Sequence, residues 1–498
     1  MSRVKIFLFL QFIIFSAVPV LAQVDTAWVA RYNGPGNAED VAHALAVDDS
    51  GNVYVTGDSW NGTSSDYATI KYDSNGDTLW VRHYNRSEII DDHATALAVD
   101  GSGNVYVTGF SGTIKYSANG DSLWISLYPE CLDLAVDDSG NIYVTGSGGL
   151  DYRTIKYDSN GDTLWVRLYN GSGELQDNAN ALAVDDSGNV YVTGQSAFDY
   201  ATIKYDSNGD TLWVRRYNGP GNGGDNATAL AVDDSGNVYV TGYSWNGTSS
   251  DYATIKYDSN GDTLWVRRYN GPGDGDDNAS TLAVDDSGNV YVTGQSVGSG
   301  TDYDYATIKY NSNGDTLWVR RYNGEENTLD LVSALAVDAT GNVFVTGASD
   351  FYFSFPICCA NYATIKYNSD GDTQWVSRYN GAGNDLDGAS ALAVDDSGNV
   401  YVTGQSAGSG TSSDYATIKY VQFACVDTAG DANGDGGVSL PDIIYEVNRV
   451  FKGGPAPSPL CRGDANADGV VNLPDIIYLV NRVFKGGPKP LKSRECCL

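Results

Sequence analysis

The chain has 498 residues, which is too many for one ordinary hydrophobic core, so several domains or an array of repeats is expected. It contains 35 Tyr, 10 Trp and 58 Gly but a single Met, a composition that favours β-strands separated by turns over bundles of helices. The formal net charge of −33 argues against nucleic acid as a partner, because phosphate binding needs a basic surface, and it favours the binding of cations.

The N-terminus has the pattern of a secretory signal peptide. Arg3 and Lys5 precede an apolar run over residues 6–20, and the Val-Leu-Ala of residues 20–22 resembles a cleavage site with small side chains at the −3 and −1 positions. We expect residues 1–22 to be removed and the mature protein to be secreted or associated with a bacterial cell surface. The alternative is that the run stays as an anchor. No later stretch is long and apolar enough to span a membrane.

The rest of the chain is dominated by one repeated unit of roughly fifty residues. The segment ALAVDDSGNVYVTG at residues 44–57 returns at 181, 229 and 391, and degenerate copies begin at 96, 133, 281 and 334. A full unit continues through a variable segment, DYATIKY, the turn DSNGD and TLWVRRYN. The segments between turns alternate as half-buried strands do, and the Gly-containing turns suit tight hairpins. Each unit is therefore predicted to be a four-stranded antiparallel meander.

The order of the strands predicts a closed ring. Four-stranded units of this length are typical of propeller blades, and the ALAVD, TIKY and Trp strands each occur eight times. The chain opens with a lone Trp strand at residues 25–33, and the last unit stops at residues 414–420 without one. We predict a mainly β fold, an eight-bladed propeller over residues 23–423, closed by pairing of the first strand with the last blade. Closure removes open sheet edges, whereas the alternative, an open stack of sheets, leaves them exposed.

The repeats resemble the bacterial β-propeller repeats of the SBBP type over residues 25–423. That resemblance implies a propeller fold and a binding scaffold, and it implies no defined reaction. Repeats of this type are often described as seven-bladed, and the eight copies here depart from that number.

One end of the ring is predicted to recognise a ligand. The DDSGN and DSNGD turns lie at one end and hardly vary, whereas the connections at the other end differ between units, and variable loops commonly carry function. Aromatic side chains beside Asp and Asn there suit a sugar or a peptide. The alternative is that these aromatic side chains pack over neighbouring blades. The candidate ligand-binding residues are Trp60, Trp245, Tyr303, Phe351 and Tyr352, with Phe353 beside them.

The sequence predicts no catalytic site. Eight blades with one Trp each, together with Cys358-Cys359, resemble the pyrroloquinoline-quinone dehydrogenases. Catalysis needs an irregular set of acid, base and metal ligands, however, and the repeats are uniform. The three His residues, at 43, 83 and 93, are scattered along the chain. A non-catalytic binding protein is therefore favoured over an extracellular enzyme, either a quinoprotein dehydrogenase or a component of a polysaccharide-degrading complex. The DSNGD turn also begins like a calcium loop, but it lacks the later ligands.

A different module follows the repeats, over residues 424–490, with a short tail at 491–498. The segment GDANGDGGVSLPDIIYEVNRVFKGGP at 430–455 recurs in near-identical form at 463–488. Each copy begins as a calcium loop does, with oxygen ligands at alternate positions, a small residue at the turn and an acid at the twelfth position. Two Ca²⁺ sites are predicted. The ligands are Asp431, Asn433, Asp435, Gly437 (carbonyl), Ser439 and Asp442 in the first loop, and Asp464, Asn466, Asp468, Val470 (carbonyl), Asn472 and Asp475 in the second.

Each loop is followed by a predicted helix. In the first copy, Ile443, Ile444, Val447, Val450 and Phe451 are predicted to share one helical face, and Gly453-Gly454-Pro455 ends the helix. No entering helix precedes the first loop.

Paired loop-plus-helix units with Asp in the last position resemble type I dockerins. The resemblance implies attachment to a cohesin-like protein on a scaffold or cell surface. The Leu-Pro pairs at 440–441 and 473–474 differ from the polar pairs of cellulosomal dockerins. The alternative is a calcium-braced C-terminal domain that binds no further partner.

Seven cysteines in an exported chain predict disulfides with one thiol left over. Cys425 and Cys461 each lie shortly before a calcium loop and are the predicted pair. Cys358-Cys359 and Cys496-Cys497 are not assigned.

Overall fold

A computed structural model describes residues 24–87, 91–171, 175–325, 327–354, 357–383, 385–408, 412–422, 430–433, 437–454, 465, 471–486 and 488. The described chain forms eight four-stranded antiparallel sheets followed by two α-helices. Seven sheets are formed by four consecutive strands, and the eighth combines the first strand with the last three. The eight-bladed propeller predicted from the repeats is confirmed.

The strands are numbered in chain order, and β1 (Val24–Tyr32) opens the chain. Blades 1 to 4 are formed by β2 (Asp40–Val47), β3 (Val53–Trp60), β4 (Ser65–Tyr72) and β5 (Thr78–Tyr84); β6 (Ala94–Val99), β7 (Val105–Gly109), β8 (Gly112–Tyr116) and β9 (Ser122–Ser126); β10 (Cys131–Val136), β11 (Ile142–Gly148), β12 (Asp151–Tyr157) and β13 (Thr163–Tyr169); and β14 (Asp177–Val184), β15 (Val190–Ser196), β16 (Asp199–Tyr205) and β17 (Thr211–Tyr217).

Blades 5 to 8 repeat the pattern, and blade 8 is completed by β1. They are formed by β18 (Asp225–Val232), β19 (Val238–Trp245), β20 (Ser250–Tyr257) and β21 (Thr263–Tyr269); β22 (Asp277–Val284), β23 (Val290–Val297), β24 (Tyr303–Tyr310) and β25 (Thr316–Tyr322); β26 (Leu329–Val337), β27 (Val343–Ser354), β28 (Ile357–Tyr367) and β29 (Thr373–Tyr379); and β30 (Asp387–Val394), β31 (Val400–Ala407) and β32 (Ser413–Gln422).

The ring closes through β1, which pairs antiparallel with β32. The Arg31 guanidinium in β1 donates to the Ser406 hydroxyl at 2.7 Å and forms an ion pair with Asp414 at 3.1 Å. The Trp28 ring lies 6.3 Å from the rings of both Tyr72 and Tyr401, which belong to blades 1 and 8. The first strand therefore completes the last blade and also joins it to the first, which is the pairing that its position in the sequence predicts.

The hydrophobic core lies between adjacent blades. Between blades 4 and 5, for example, Tyr191 and Trp213 pack against Val240 and Tyr257. The Trp213 indole N–H donates to the Ser259 carbonyl of the next blade at 3.2 Å, so this large ring is buried without leaving its polar atom unsatisfied. The same indole-to-carbonyl hydrogen bond recurs at six other blade interfaces. Between blades 7 and 8, Phe344 replaces the tyrosine and the Trp375 indole N–H has no hydrogen-bond partner among the described residues.

The DDSGN turns are held by their first aspartate. The Asp233 carboxylate accepts hydrogen bonds from the Asn237 side chain at 2.8 Å, the Tyr239 hydroxyl at 2.8 Å and the Ser235 backbone at 3.0 Å. Burial alone would raise the pKa of Asp233, but these hydrogen bonds outweigh burial and lower it. The aspartates at the equivalent position with a lowered pKa are Asp48, Asp100, Asp137, Asp185, Asp285 and Asp338.

This turn makes a pH-dependent contribution to stability. A carboxyl whose pKa is lower in the folded state stabilises the fold above its unfolded pKa, near 4, and loses that effect as the pH falls through the folded pKa. We expect Asp233→Asn to reduce the free energy of unfolding by about 1 kcal/mol at pH 7, and the difference from wild type to vanish by about pH 2. Thermal unfolding between pH 2 and 7 measures this. Asp234→Asn, at the exposed neighbouring position, is the control and should have little effect. An unchanged Asp233→Asn difference at low pH would contradict the role of the charge.

The DSNGD segments are hairpin turns. In the turn between β20 and β21, the Asp258 carboxylate accepts from the backbone N–H groups of Asn260 at 2.9 Å and Asp262 at 2.8 Å. Gly261 has a φ of +83°, which a residue with a Cβ adopts only under strain. These contacts account for the DSNGD sequence without a metal ion.

Two helices follow the propeller, α1 (Leu440–Lys452) and α2 (Leu473–Lys485). Ser439 and Asp442 cap the start of α1 reciprocally, and Gly453 ends it with a φ of +70°. Ile443 is buried, but Ile444 and Phe451 are 53% and 62% exposed. The predicted apolar face is therefore only partly buried, because consecutive helical residues are about 100° apart and Ile443, but not Ile444, faces the partner helix. No helix in the described parts of the chain is long and apolar enough to cross a membrane.

Candidate functional site

The first strand of each blade lines the central channel, since the first strands of successive blades contact one another around the whole ring. At one end of the channel lie the DDSGN and DSNGD turns. At the other end lie the connections between the second and third strands of each blade and the links from one blade to the next. We call this second end the variable face.

A buried aspartate at the start of the first strand fixes the loops of the variable face. The Asp225 carboxylate accepts from the Gly219 backbone at 2.7 Å and from the Trp245 backbone at 2.9 Å, so it joins the link before blade 5 to the connection between its second and third strands. Blade 3 has Pro129 instead. The buried aspartates in the other blades are Asp40, Asp92, Asp177, Asp277, Asp330 and Asp387.

Sequence reasoning missed this buried aspartate, although it stands four residues before each ALAVD-type segment in seven of the eight units. Burial raises the pKa of Asp40, Asp277, Asp330 and Asp387 from the ordinary value. The hydrogen bonds of these buried carboxylates, such as those of Asp225, hold the variable loops in place on the blades.

The aromatic residues predicted to bind a ligand lie in four different blades and do not form one cluster. Trp60, Trp245, Tyr303 and Phe351 are all half-buried. A Cβ at Gly221 or Gly223 would collide with the Trp245 ring, and one at Gly36 would collide with the Trp60 ring. These two Trp rings therefore pack on the glycine-rich links that precede their blades.

Blade 7 carries the largest feature of the variable face. Its strands β27 and β28 extend into a long hairpin in which the backbone of Tyr352 pairs with that of Cys359. The side chains of Tyr352, Phe353 and Cys358 lie outside the described residues. The role predicted for Tyr352 in ligand binding stays a prediction.

Two of the three histidines come together at the mouth of the channel on the variable face. Nε2 of His43 lies 2.9 Å from Oδ2 of Asp58, and Nδ1 of His93 lies 2.7 Å from the same oxygen. The Phe110 ring meets the His93 ring edge to face at 5.6 Å. His83 lies elsewhere, on the outer strand β5, 3.1 Å from the Tyr32 hydroxyl. Although the histidines are scattered along the sequence, the fold brings His43 and His93 onto one carboxylate.

The cluster is accessible to a ligand. The His43 and His93 side chains are 36% and 37% exposed, whereas Asp58 is 15% exposed. Oδ1 of Asp58 is buried and has no hydrogen-bond partner among the residues that the structure describes. Asp58 occupies a position that holds Phe, Ser, Gln, Tyr or Ala in the other blades. An irregular, partly exposed polar group in an otherwise regular ring is the arrangement expected of a binding or catalytic site.

Asp58 sets the hydrogen-bonding pattern of both imidazoles. An ionised carboxylate only accepts hydrogen bonds, so each ring donates to it, through Nε2–H of His43 and Nδ1–H of His93. In neutral rings the opposite nitrogens, Nδ1 of His43 and Nε2 of His93, are then acceptors. Carboxylate-oriented imidazoles of this kind bind hydroxyl or amide donors and also act as general bases.

The channel wall of blades 4 to 6 is rich in side-chain amides. The Asn180 amide in β14 donates to the Ala227 carbonyl at 2.8 Å and to the Asn226 side chain at 2.8 Å, and both partners lie in β18 of the next blade. The Thr228 hydroxyl donates to the Ala279 carbonyl in β22 at 2.9 Å. These bonds brace the wall of blades 4 to 6. The cluster of His43, Asp58 and His93 lies in blades 1 and 2, so the two sides of the channel differ in chemistry.

Blade 3 adds a partly buried acid to the channel wall. Asp133 stands where other blades have Ala or Thr, and its carboxylate accepts from the Leu182 backbone at 2.8 Å. Burial raises the pKa of Asp133 to about 6.

Part of the predicted first calcium loop is described. The Asp442 carboxylate accepts from the Asn433 backbone at 3.1 Å and from the Ser439 backbone at 2.8 Å, so the loop ends are held together. Asp431 and Asp442 are buried. Gly437 is described, and Asp435 lies outside the described residues.

Less of the second loop is described. The Asn472 backbone donates to Asp475 at 2.8 Å, and Asp475 is fully buried. The other predicted ligands and both cysteines of the predicted disulfide lie outside the described residues; they are Asp464, Asn466, Asp468, Val470, Cys425 and Cys461.

The described residues alone do not define a metal site. Among them, no three His, Cys, Asp or Glu side chains are grouped so as to hold a metal ion. The oxygen-rich, buried ends of the loops fit a hard cation such as Ca²⁺.

Comparison with known proteins supports the propeller. The SBBP beta-propeller repeat matches residues 28–62, 164–201, 212–247, 264–300 and 374–410. A search of the curated proteins finds no relative of the sequence.

Solved structures share the fold at low identity. Sqt1 of Chaetomium thermophilum, bound to the N-terminus of the ribosomal protein L10, is 13% identical with a TM-score of 0.57, over 80% of this chain and 100% of that chain. A second Sqt1 structure from the same organism is 12% identical with a TM-score of 0.54, over 81% and 100% of the two chains. The chain is thus an eight-bladed propeller that contains five SBBP beta-propeller repeats.

Proposed function

We propose that the protein is an exported, non-catalytic binding protein whose propeller recognises a ligand at the variable face. The observation that carries this proposal is the cluster of His43, Asp58 and His93. Seven buried aspartates fix the loops around the channel, so the cluster is presented on a rigid rim. A rigid rim with a few convergent polar groups reduces the entropy that binding costs.

The chemistry of the rim favours a ligand rich in hydrogen-bonding groups. Two carboxylate-oriented imidazoles stand on one side of the channel, and Asn side chains stand in the wall of blades 4 to 6. A glycan or an extended peptide has hydroxyl or amide groups that can form hydrogen bonds with the imidazoles and with the Asn side chains. The acidic character of the chain, with a net charge of −33, disfavours nucleic acid.

The C-terminal module is proposed to attach the protein, through Ca²⁺, to a cohesin-like partner or another surface scaffold. The buried acids Asp431, Asp442 and Asp475 support a cation in each loop, because carboxylate oxygens are the ligands that Ca²⁺ prefers. Bound Ca²⁺ supplies positive charge that neutralises these acids. The exposed Ile444 and Phe451 of α1, and Ile477 and Phe484 of α2, offer apolar surface to a partner.

The histidine cluster gives a direct test. We expect full-length protein to bind glycans or peptides on an array, and His43→Ala with His93→Ala to weaken that binding at least tenfold, since two hydrogen-bonding imidazoles are lost. His83→Ala is the matched control, because it removes the remaining histidine and its hydrogen bond to Tyr32 on the outer strand. Calorimetry on the best array ligand gives the affinities. Equal losses from both variants would contradict a site at the channel mouth.

A second candidate is an extracellular enzyme, either a polysaccharide-degrading component or a quinoprotein. The observation that favours it is again the Asp58-oriented imidazole pair, which suits general-base chemistry. Incubation of full-length protein with the ligands found on the array, followed by mass spectrometry, separates the two candidates. Turnover that is lost in His93→Ala would favour the enzyme, and bound but unchanged ligand would favour the binding protein.

A further inference from the structure

Blade 2 leaves a notch in the variable face. Its second and third strands, β7 and β8, end at the pair Gly109–Gly112, with Phe110 and Ser111 as the whole connection between them. In blade 1 the equivalent hairpin continues for three more residue pairs, as far as Trp60, and in blade 3 for two more. At about 3.3 Å per residue, the flanking hairpins extend about 10 and 7 Å beyond the floor of the notch.

The floor of the notch is aromatic and adjoins the channel mouth. Phe110 occupies the position that Asp58 holds in blade 1, and its side chain is 45% exposed. Its ring meets the His93 ring edge to face at 5.6 Å, and its backbone N–H donates to the His93 carbonyl at 2.9 Å. A ligand bound at the cluster of His43, Asp58 and His93 can therefore contact an exposed aromatic ring.

The outer rim of blades 2 and 3 is apolar where other blades are charged. In blades 4 to 8 an arginine of the outermost strand forms an ion pair with an aspartate of the same blade, as Arg268 does with Asp251 at 2.9 Å. Blades 2 and 3 have Leu127 and Leu168 at the position of this arginine, and both leucines are exposed. The two blades beside the notch thus present apolar side chains instead of a charged pair.

A line of contacts joins this rim to Phe110. The Phe110 carbonyl accepts from the Glu130 backbone at 3.1 Å. The Tyr128 ring lies 5.7 Å from the Arg153 guanidinium, and Arg153 pairs with Leu168 across β12 and β13. The line runs from the channel mouth to the outer edge of blade 3. We call the exposed apolar residues along it the apolar strip; they are Phe110, Leu127, Tyr128, Leu150 and Leu168.

Acidic side chains flank the floor of the notch. Asp91 precedes blade 2 and Glu130 follows it, and both are exposed. Asp91 also accepts from the Ser65 backbone of blade 1 at 2.9 Å. In a chain of net charge −33, these acids attract basic groups. The apolar strip favours bulky apolar side chains over the hydroxyl-rich surface of a glycan, because hydroxyl groups buried without partners are costly.

We propose that the notch binds an extended peptide segment, which places a bulky apolar side chain on Phe110 and basic side chains beside Asp91 and Glu130. This inference rests on the proposed recognition site at the channel mouth and names the class of its ligand. The acceptor nitrogens of His43 and His93 receive hydrogen bonds from the peptide, and the apolar strip selects its side chains.

Peptide and glycan arrays probed with the full-length protein test the inference. Among random dodecapeptides, we expect those retained to contain Phe, Leu or Ile flanked by Lys or Arg. Fluorescence polarisation with the best labelled dodecapeptide then gives affinities. Phe110→Ala should weaken its binding roughly tenfold, because a large aromatic contact is lost. This loss should disappear for a dodecapeptide analogue whose apolar residue is Ala, since the two side chains then no longer interact.

A second variant restores the arginine of the other blades. Leu168→Arg places a guanidinium opposite Asp151, as Arg268 stands opposite Asp251 in blade 5, and should weaken the dodecapeptide roughly fivefold by removing apolar surface and adding positive charge. Phe198→Ala is the matched control, because Phe198 is an exposed phenylalanine in the corresponding connection of blade 4, and it should have no effect. If Phe110→Ala does not fold, Leu168→Arg decides.

Failure of the inference is distinguishable from failure of the proposed function. Glycan binding without peptide binding would overturn the inference and leave recognition at the channel mouth standing. The same conclusion follows if peptide binding is lost in His43→Ala with His93→Ala but unchanged in Phe110→Ala and Leu168→Arg. Absence of binding to both arrays would overturn both. Self-association of wild type that Leu168→Arg abolishes, measured by light scattering without any peptide binding, would assign the strip to a contact between copies and overturn the inference.

Discussion

Removal of residues 23–33, which contain β1, is expected to abolish cooperative unfolding of the propeller and to cause aggregation. The deletion leaves the backbone groups of β32 without a partner strand, and an open sheet edge invites pairing with other chains. It also removes the Arg31–Asp414 ion pair and the Trp28 ring that lies between Tyr72 and Tyr401. Blades 1 and 8 thereby lose the strand that joins them. Because a domain is stable by only about 5–15 kcal/mol, this loss is enough to open the ring.

Circular dichroism during heating and light scattering measure this result. The matched control is a chain that lacks only residues 1–22, which should unfold in one sharp transition and remain monodisperse. A chain without residues 23–33 that unfolds at the control temperature would show that β1 does not hold the ring closed.

The C-terminal module is expected to require Ca²⁺ for folding. The carboxylates of Asp431, Asp442 and Asp475 are buried at the ends of the two loops, and Ca²⁺ is expected to bind only the folded loops, so that binding and folding are coupled. Residues 425–490, made alone, should be poorly ordered in chelator and gain helix in millimolar Ca²⁺. At free calcium about a hundred times the dissociation constant, each site contributes roughly 2.7 kcal/mol of stability.

Asp435→Ala combined with Asp468→Ala should abolish the gain in helix, because each loop loses a ligand at its fifth position. The same double variant in the full chain serves as the control, and the unfolding transition of the propeller should not move. Full helicity in chelator, together with no calcium binding by calorimetry, would contradict the calcium assignment and the dockerin resemblance with it.

Local sequence patterns predicted the strands and turns of the blades, because the contacts that form each turn and strand face lie within a few residues of one another. Asp233, Gly236 and Asn237 form their turn through contacts no more than six residues apart, so the turn can be inferred from its letters. Alternation along β19 and β20 likewise places Val240 and Ile255 in the core. Closure of the ring could be predicted because the chain begins with an extra Trp strand, whereas the last repeat lacks its fourth strand.

Side-chain environments on the variable face were harder to infer. Trp60 and Trp245 were predicted from the sequence to bind a ligand. In the structure they pack on glycines of the links that precede their blades. Nothing in the sequence distinguished Asp225 from the many other acidic residues. In the structure it is buried, and its hydrogen bonds connect two loops. Both outcomes depend on contacts between segments about twenty residues apart.

The sequence by itself determined the repeat, the number of blades, the turns and the strand that closes the ring. Each of these depends on local hydrogen bonding and on a twofold alternation of side chains, which a chain encodes directly. Only the tertiary structure brought His43 and His93, from different blades, onto Asp58, because the curvature of the ring decides which residues of neighbouring blades meet. It also decided that Ile443 is buried and Ile444 exposed, since the packing of α1 on α2 determines which helical face is buried.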